Sequence, residues 1–414
     1  MSPAQAGFAI LVLGVALVIG KLIRLNVRWV QRVFLPSSIV AGFVLMFLGP
    51  WVLGRIAGGS FAAAGIFTPE ILRVWSALPG LLISVVFATM FLGQKLPNPR
   101  KAAQLVGPQL SFGVAFGAGQ YVVGILLAVL LLTPVFGTNP LAAALIEISF
   151  EGGHGTAAGM RPIFNSLGWE AGADLAVGLA TLSLLLGVIL GVAWINWGVR
   201  TGKTEILKGS AQASLEEQRG LFRKDEYFAA GRLTTQPASV EPLSLHVAFT
   251  CLAILIGWVM LELLRWLEQL TIARIMISDG VPLELFRFLP LFPMAMLGGV
   301  IVQRIARALG FERLIDHQMM LRIQGLALDF LVVAAIASLS LGAIQDNLAA
   351  FVIMAIAGTV FNTFLFFWLA PRLIGRYWFE RAIADYGQSM GVTATGLMLL
   401  RITDPEMQSP AYEA

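Results

Sequence analysis

The chain has 414 residues, 57% hydrophobic and only 13% charged, where a soluble globular protein carries about 25% charged residues. So much apolar surface has no soluble core to hide in, and its natural solvent is lipid. The net charge of +4 is small and scattered, which points away from a nucleic-acid partner, and the single cysteine, Cys251, excludes a disulfide framework and a cysteine metal site.

The first apolar stretch, Phe8 to Ile23, precedes the basic residues Lys21, Arg24, Arg28 and Arg32. A cleavable signal peptide has the reverse order, so this stretch is expected to stay as a first span with the N-terminus outside. Runs long enough to cross a bilayer follow at about 36–54, 77–94, 108–132, 174–198, 244–266, 288–306, 326–344 and 350–371, which with about 8–23 makes nine. Each is expected to be helical, because lipid offers backbone amides no partners. Gly113–Gly117 and Gly187–Gly191 have the small-xxx-small spacing of close helix packing.

Orientation follows from the basic residues. With the N-terminus outside, the inner loops before residue 243 carry Lys21, Arg24, Arg28, Arg32, Lys95, Arg100, Lys101, Arg200, Lys203, Lys208, Arg219, Arg223, Lys224 and Arg232. The outer side carries Arg55, Arg73 and Arg161. The positive-inside rule therefore makes 199–242, the one long hydrophilic stretch, a cytoplasmic linker between halves 1–198 and 243–414. Within it Gly202-Lys203-Thr204 matches the end of a phosphate-binding loop, but Trp197 stands where the first glycine is required and no strand precedes it. ATP is not expected to drive the protein directly.

Each half also holds one apolar segment that is short and interrupted. Pro140 to Phe150 runs into Glu151-Gly152-Gly153-His154-Gly155-Thr156, and Phe379 to Ala384 runs into Tyr386-Gly387-Gln388-Ser389-Met390-Gly391-Val392-Thr393-Ala394-Thr395-Gly396. About 11 helical residues rise roughly 16 Å, half the hydrocarbon core. The segments are expected to be re-entrant hairpins, at about 140–165 and about 379–402. Both follow the fourth span of their half, and five spans precede the linker, so the halves read as inverted repeats. Gly-interrupted short segments at matching positions point to a transporter binding site. Their bare amides suit an anion, and Thr156, Thr393 and Thr395 add hydroxyls.

These motifs carry a family resemblance. Glu151-Gly152-Gly153-His154-Gly155-Thr156-Ala157-Ala158-Gly159 resembles the Gly-Gly-His-Gly-Thr motif of bacterial sodium/glutamate symporters, with Glu151 where the family usually has Ser. Gly391-Val392-Thr393-Ala394-Thr395-Gly396 resembles the family's Gly-Ala-Thr-Pro-Thr-Ala, with Ala394 in place of Pro. The resemblance extends over the whole chain. It implies an all-α membrane protein of ten spans in two inverted five-span repeats, each with a re-entrant hairpin. A tenth span would lie beyond Ala414. It further implies a homodimer in the bacterial inner membrane, sodium as the coupling ion, and an acidic amino acid or related small carboxylate as substrate, with no cofactor.

The substrate-binding candidates are Glu151, Gly152, Gly153, His154, Gly155, Thr156, Gly391, Thr393 and Thr395; the cation-binding candidates are Asp329, Asn362 and Thr363. Asp329 lies near the start of the eighth run, where an acid in lipid costs at least ~2.5 kcal/mol and calls for a cation or a packing partner. Asn362 and Thr363 interrupt the ninth run, as cation ligands or as interhelical hydrogen-bond partners. Glu151 reads as a cation ligand, a selector of substrate charge or an exposed loop acid; His154 reads as a ligand or a hydrogen-bonded structural histidine. Glu262 and Arg265 mark a span end. The leading function is sodium-coupled symport of glutamate or a related carboxylate. The alternatives are a proton- or sodium-coupled carrier of another organic anion, and a channel, for which no continuous polar lining is visible. An enzyme is not expected: His154, His246 and His317 lie far apart, with no His-Glu-x-x-His or Gly-x-Ser-x-Gly arrangement.

Overall fold

The computed structural model describes residues 3–32, 35–58, 64–94, 99–207, 219, 221, 229–270, 276–277, 281–282, 286, 289–391, 393–404, 409 and 411; the side chains of Arg32, 99–106, 276–277, 281–282, 393–394 and Arg401 are outside that description. Among the described residues it is helical apart from a two-residue antiparallel ladder, Met276–Ile277 with Val281–Pro282. Among the described residues, nine helical segments are long and apolar enough to cross a membrane: Pro3–Asn26, Ser37–Ala57, Pro69–Thr89, Gly107–Phe136, Ala171–Arg200, Pro242–Leu270, Leu291–Ala308, His317–Ala337 and Leu348–Leu373.

Two spans start well before their apolar runs. The third begins at Pro69 rather than near residue 77, because Thr68 Oγ1 accepts from Ile71 N and the exposed Glu70–Arg73 pair (3.8 Å) decorates its first turns. The eighth begins at His317 rather than near 326, with Asp316 Oδ1 accepting from Met319 N at 3.0 Å, and it ends at Ala337. A separate helix, Leu341–Asp346, then starts under a Ser340 cap. Asp329 accordingly sits in the later half of its helix, not near the start.

The described chain forms two compact units. The second, Ala77–Leu96 with Glu226–Leu331, is cored by Ala88, Leu92, Ala253, Ala295, Val302, Ile315, Met320 and Ile323. Its sixth and seventh spans touch backbone to backbone: a Cβ on Gly298 would fall 2.0 Å from Ala253 O, and one on Gly257 2.5 Å from Met294 O. Such close approach lets van der Waals contact hold helices together where lipid supplies no hydrophobic drive. The buried His246 Nδ1 donates to Pro242 O (2.6 Å), and its Nε2 accepts from Asp316 N (2.8 Å).

The first unit, Met1–Ser76 with Pro97–Asp225 and Val332–Ala414, is organised around the fifth span. In that span 67% of the apolar window is buried, against 22% in the first and fourth spans, so it is a core helix and the others present one face to lipid. Against it pack two interrupted helical segments. The first comprises a 3-10 turn Pro140–Ala144 and helices Leu145–Phe150, Gly153–Gly159 and Arg161–Ser166. The second comprises helices Trp378–Gly391 and Thr393–Thr403, packed on each other. Tyr386–Gly391 is helical, not part of the break: Gly387 is there so that two backbones can cross, since its Cβ would lie 2.7 Å from Gly396 Cα. Among the small-residue pairs, Gly187 and Gly191 receive Met390 and Leu399 of this segment, whereas a Cβ on Gly113 or Gly117 would meet nothing within 4 Å.

Candidate functional site

The first segment opens under an Asn139 cap, whose side chain accepts from Leu141 N, with Pro140 at the first helical position. The helix stops at Glu151. Gly153 has φ +64°, a conformation that costs a side-chain-bearing residue about 1–2 kcal/mol, and this turns the chain into Gly153–Gly159. Gly152 is pressed on Thr156, whose Cβ lies 2.7 Å from where a Gly152 Cβ would stand. Thr156 is half-buried, while Gly153, His154 and Gly155 are buried. The half-buried Arg161 pairs with the buried Asp174 (2.7 Å) and ties the end of the segment to the start of the fifth span.

His154 fixes this tip. Its Nε2 lies 2.9 Å from Thr181 Oγ1, and the Thr181 hydroxyl donates to Val177 O at 2.9 Å. With its one proton committed, that hydroxyl can only accept from the ring, so His154 carries a proton on Nε2 and donates it to the fifth span.

The second tip reaches the same helix one turn away. A Cβ on Gly391 would lie 2.9 Å from Leu184 Cα, and one on Gly187 would lie 2.6 Å from Met390 Cβ. Thr395, buried, donates from Oγ1 to Gly391 O at 2.8 Å and closes the bend. Thr393 opens the returning helix, and its side chain lies outside the described residues. The outer end of this segment is clamped. Glu380 Oε1, fully buried, accepts from Glu205 N (2.7 Å) and Ile206 N (3.0 Å), while Glu205 Oε1 accepts from Tyr377 N (2.6 Å).

Thr181 and Leu184 are three residues apart, about 4.5 Å along the helix. Leu184 is the fourteenth of the thirty residues Ala171–Arg200. A polar knot joins the tips at this height. Gln120, fourteenth of the thirty residues Gly107–Phe136, donates from Nε2 to Asn362 Oδ1 (3.0 Å) and to Ser389 O (3.3 Å). Asn362, near the middle of the ninth span, donates to Ser389 O at 3.0 Å. Both amides are fully buried. Glu151, half-buried, faces the side chains of Ser389 and Gln388 from the first tip. Thr363 is half-buried beside the Tyr386 hydroxyl.

The structure thus brings Glu151, Gly152, Gly153, His154, Gly155, Thr156, Gly391, Thr395 and Asn362 to one level of the first unit. Asp329 belongs to the second unit and is exposed on its helix. Sequence reasoning passed over Gln120, Thr181, Ser389, Asp385 and Gln109. Gln109 Nε2 donates to Asp385 Oδ2 at 2.6 Å, and Gln109 Oε1 accepts from Arg381 Nε at 2.9 Å. Two glutamines inside an apolar span were the available signal, since a polar group at that depth needs a partner.

A family model described as sodium/glutamate symporter matches residues 4–403. No curated protein and no solved structure matches the chain.

Proposed function

The chain belongs to the sodium/glutamate symporter family, and on that premise we propose that the two glycine tips meeting the middle of the fifth span form its transport site. Family membership makes the protein a multi-pass membrane carrier that couples glutamate transport to sodium; it is not an enzyme. The observation that carries the site reading is the one-turn separation of Thr181 and Leu184, the fifth-span residues that receive His154 and Gly391.

In this reading Pro140–Ser166 and Trp378–Thr403 are re-entrant hairpins entering from opposite sides, and residues 1–198 and 243–414 are inverted repeats. Each hairpin follows the fourth span of its half, which supports that symmetry. The substrate carboxylates meet amides bared at Gly153–Gly155 and the N-terminus of Thr393–Thr403, with Thr156 and Thr395 beside them. Asn362 and Thr363 supply oxygens to sodium, and Asp329 contributes a coupling charge elsewhere in the chain. The N-terminus is outside, residues 199–242 are cytoplasmic, and the carrier works as a homodimer in a bacterial inner membrane.

The test is uptake of radiolabelled glutamate under a sodium gradient. Gly153→Val forces a branched side chain into the left-handed region and is expected to abolish uptake while the protein remains in the membrane. Normal uptake by this variant would remove the first tip from the site.

A further inference from the structure

Resting on that site reading, the geometry points to a monovalent-cation subsite between Glu151 of the first tip and Asp385 of the second, completed by the side-chain oxygen of Gln120. The two carboxylates come from segments that pack on each other, and Glu151 is among the charges that act on Asp385. Asp385 is provided for: Gln109 donates to its Oδ2, and Arg381, held on Gln109 Oε1, lies close by. Glu151 is not. Its neighbours are the neutral side chains of Gln388 and Ser389 and a second acid, Glu147, which itself faces Tyr121. Its Oε2 is buried without a hydrogen bond.

A second, independent orphan belongs to another residue bound to Ser389. Gln120 is fully buried, and its Oε1 also has no hydrogen bond. The amide cannot be turned over to cure this. Its nitrogen is fixed by two acceptors, Asn362 Oδ1 and Ser389 O, and Asn362 must in turn present its own nitrogen to Ser389 O and Met390 Sδ. The knot therefore holds Gln120 with its acceptor unsatisfied, at the residue whose side chain Glu151 faces.

Both orphans are acceptor-only oxygens. Leaving them dry is costly, and a buried carboxylate without a counter-charge is costlier. Another anion would worsen the balance, so the substrate's carboxylates bind elsewhere, at the bared amides. What satisfies carboxylate and amide oxygens together is a small cation: a dehydrated sodium ion, which takes oxygen lone pairs, or the substrate's α-ammonium, which offers three donors.

The experiment uses full-length protein and two readouts. In detergent, the melting midpoint is followed against sodium chloride with choline chloride as the counter-titrant. In proteoliposomes, uptake is competed with L-glutamate and with glutarate, which is glutamate without its amino group. If sodium is the occupant, Glu151→Gln raises the half-stabilising sodium concentration about thirtyfold, the effect of removing one partner from a buried charge pair. If the ammonium is the occupant, sodium stabilisation is kept and the preference for glutamate over glutarate collapses by a similar factor. Glu151→Asp restores either property in part. Asp385→Asn gives the same reading should Glu151→Gln not fold. Wild-type values in both readouts overturn the subsite. Because Gly153→Val tests the tips by uptake alone, the transport-site reading survives that outcome or fails independently of it.

Discussion

Gly391 offers the sharpest perturbation, because the structure states what any side chain there must displace. A Cβ would sit 2.9 Å from Leu184 Cα and 3.0 Å from both Leu184 Cγ and Thr395 Oγ1. Ordinary contact begins at 3.4 Å, so Gly391→Ala requires the tip and the fifth span to part by about half an ångström, and Gly391→Val by about 1 Å or more. Neither a helix backbone nor the Thr395 hydrogen bond yields for free, and overpacking of this kind costs roughly 1–3 kcal/mol. The functional loss is larger than the stability loss, since a misplacement of about 1 Å can weaken a positioned site ~100-fold. Glutamate uptake in proteoliposomes is therefore expected to fall about tenfold in Gly391→Ala and to vanish in Gly391→Val. Insertion and monodispersity should persist in both. Gly113→Ala is the control: nothing lies within 4 Å of the added atom, and uptake should be unchanged. Wild-type uptake in Gly391→Val would refute the claim that this tip must rest on Leu184.

Thr181→Val removes the acceptor of the buried His154 proton and should cost about 1–3 kcal/mol, read as a lower melting midpoint and weaker uptake; Thr181→Ser should retain both. For orientation, Lys203 is exposed just past the fifth span, so Lys203→Cys in a Cys251→Ser background should resist membrane-impermeant maleimide in intact cells and react after permeabilisation. Labelling in intact cells would reverse the topology. Asp329→Asn should weaken the sodium dependence of uptake; unchanged activation by sodium would make Asp329 a structural residue.

Much of this architecture was legible because the bilayer leaves so few choices. Apolar runs of sufficient length had to be helices, and the Gly152-Gly153 pair inside the first short run does interrupt it. Span starts were harder. Glu70, Arg73, Gln318, Arg322 and Gln324 look like loop residues, yet polar first turns are tolerated where a helix leaves the hydrocarbon. The glycines of the second segment misled for a related reason. Gly387 and Gly396 resemble helix breakers, but here they let two helices cross, and the pattern alone does not separate the two uses. In the site, charged residues drew attention and neutral amides did not. Gln120 nevertheless links Asn362 and Ser389, a contact between residues 242 and 269 positions away that no local spacing encodes.

The central claim is that both tips and the middle of the fifth span bind the substrate together. An electron cryo-microscopy map of the full-length carrier with glutamate and sodium tests it most directly. The account predicts substrate density touching the Gly152–Thr156 backbone and Thr395, at the level of Thr181 and Leu184. Density bound in the second unit, with neither tip in contact, would contradict it.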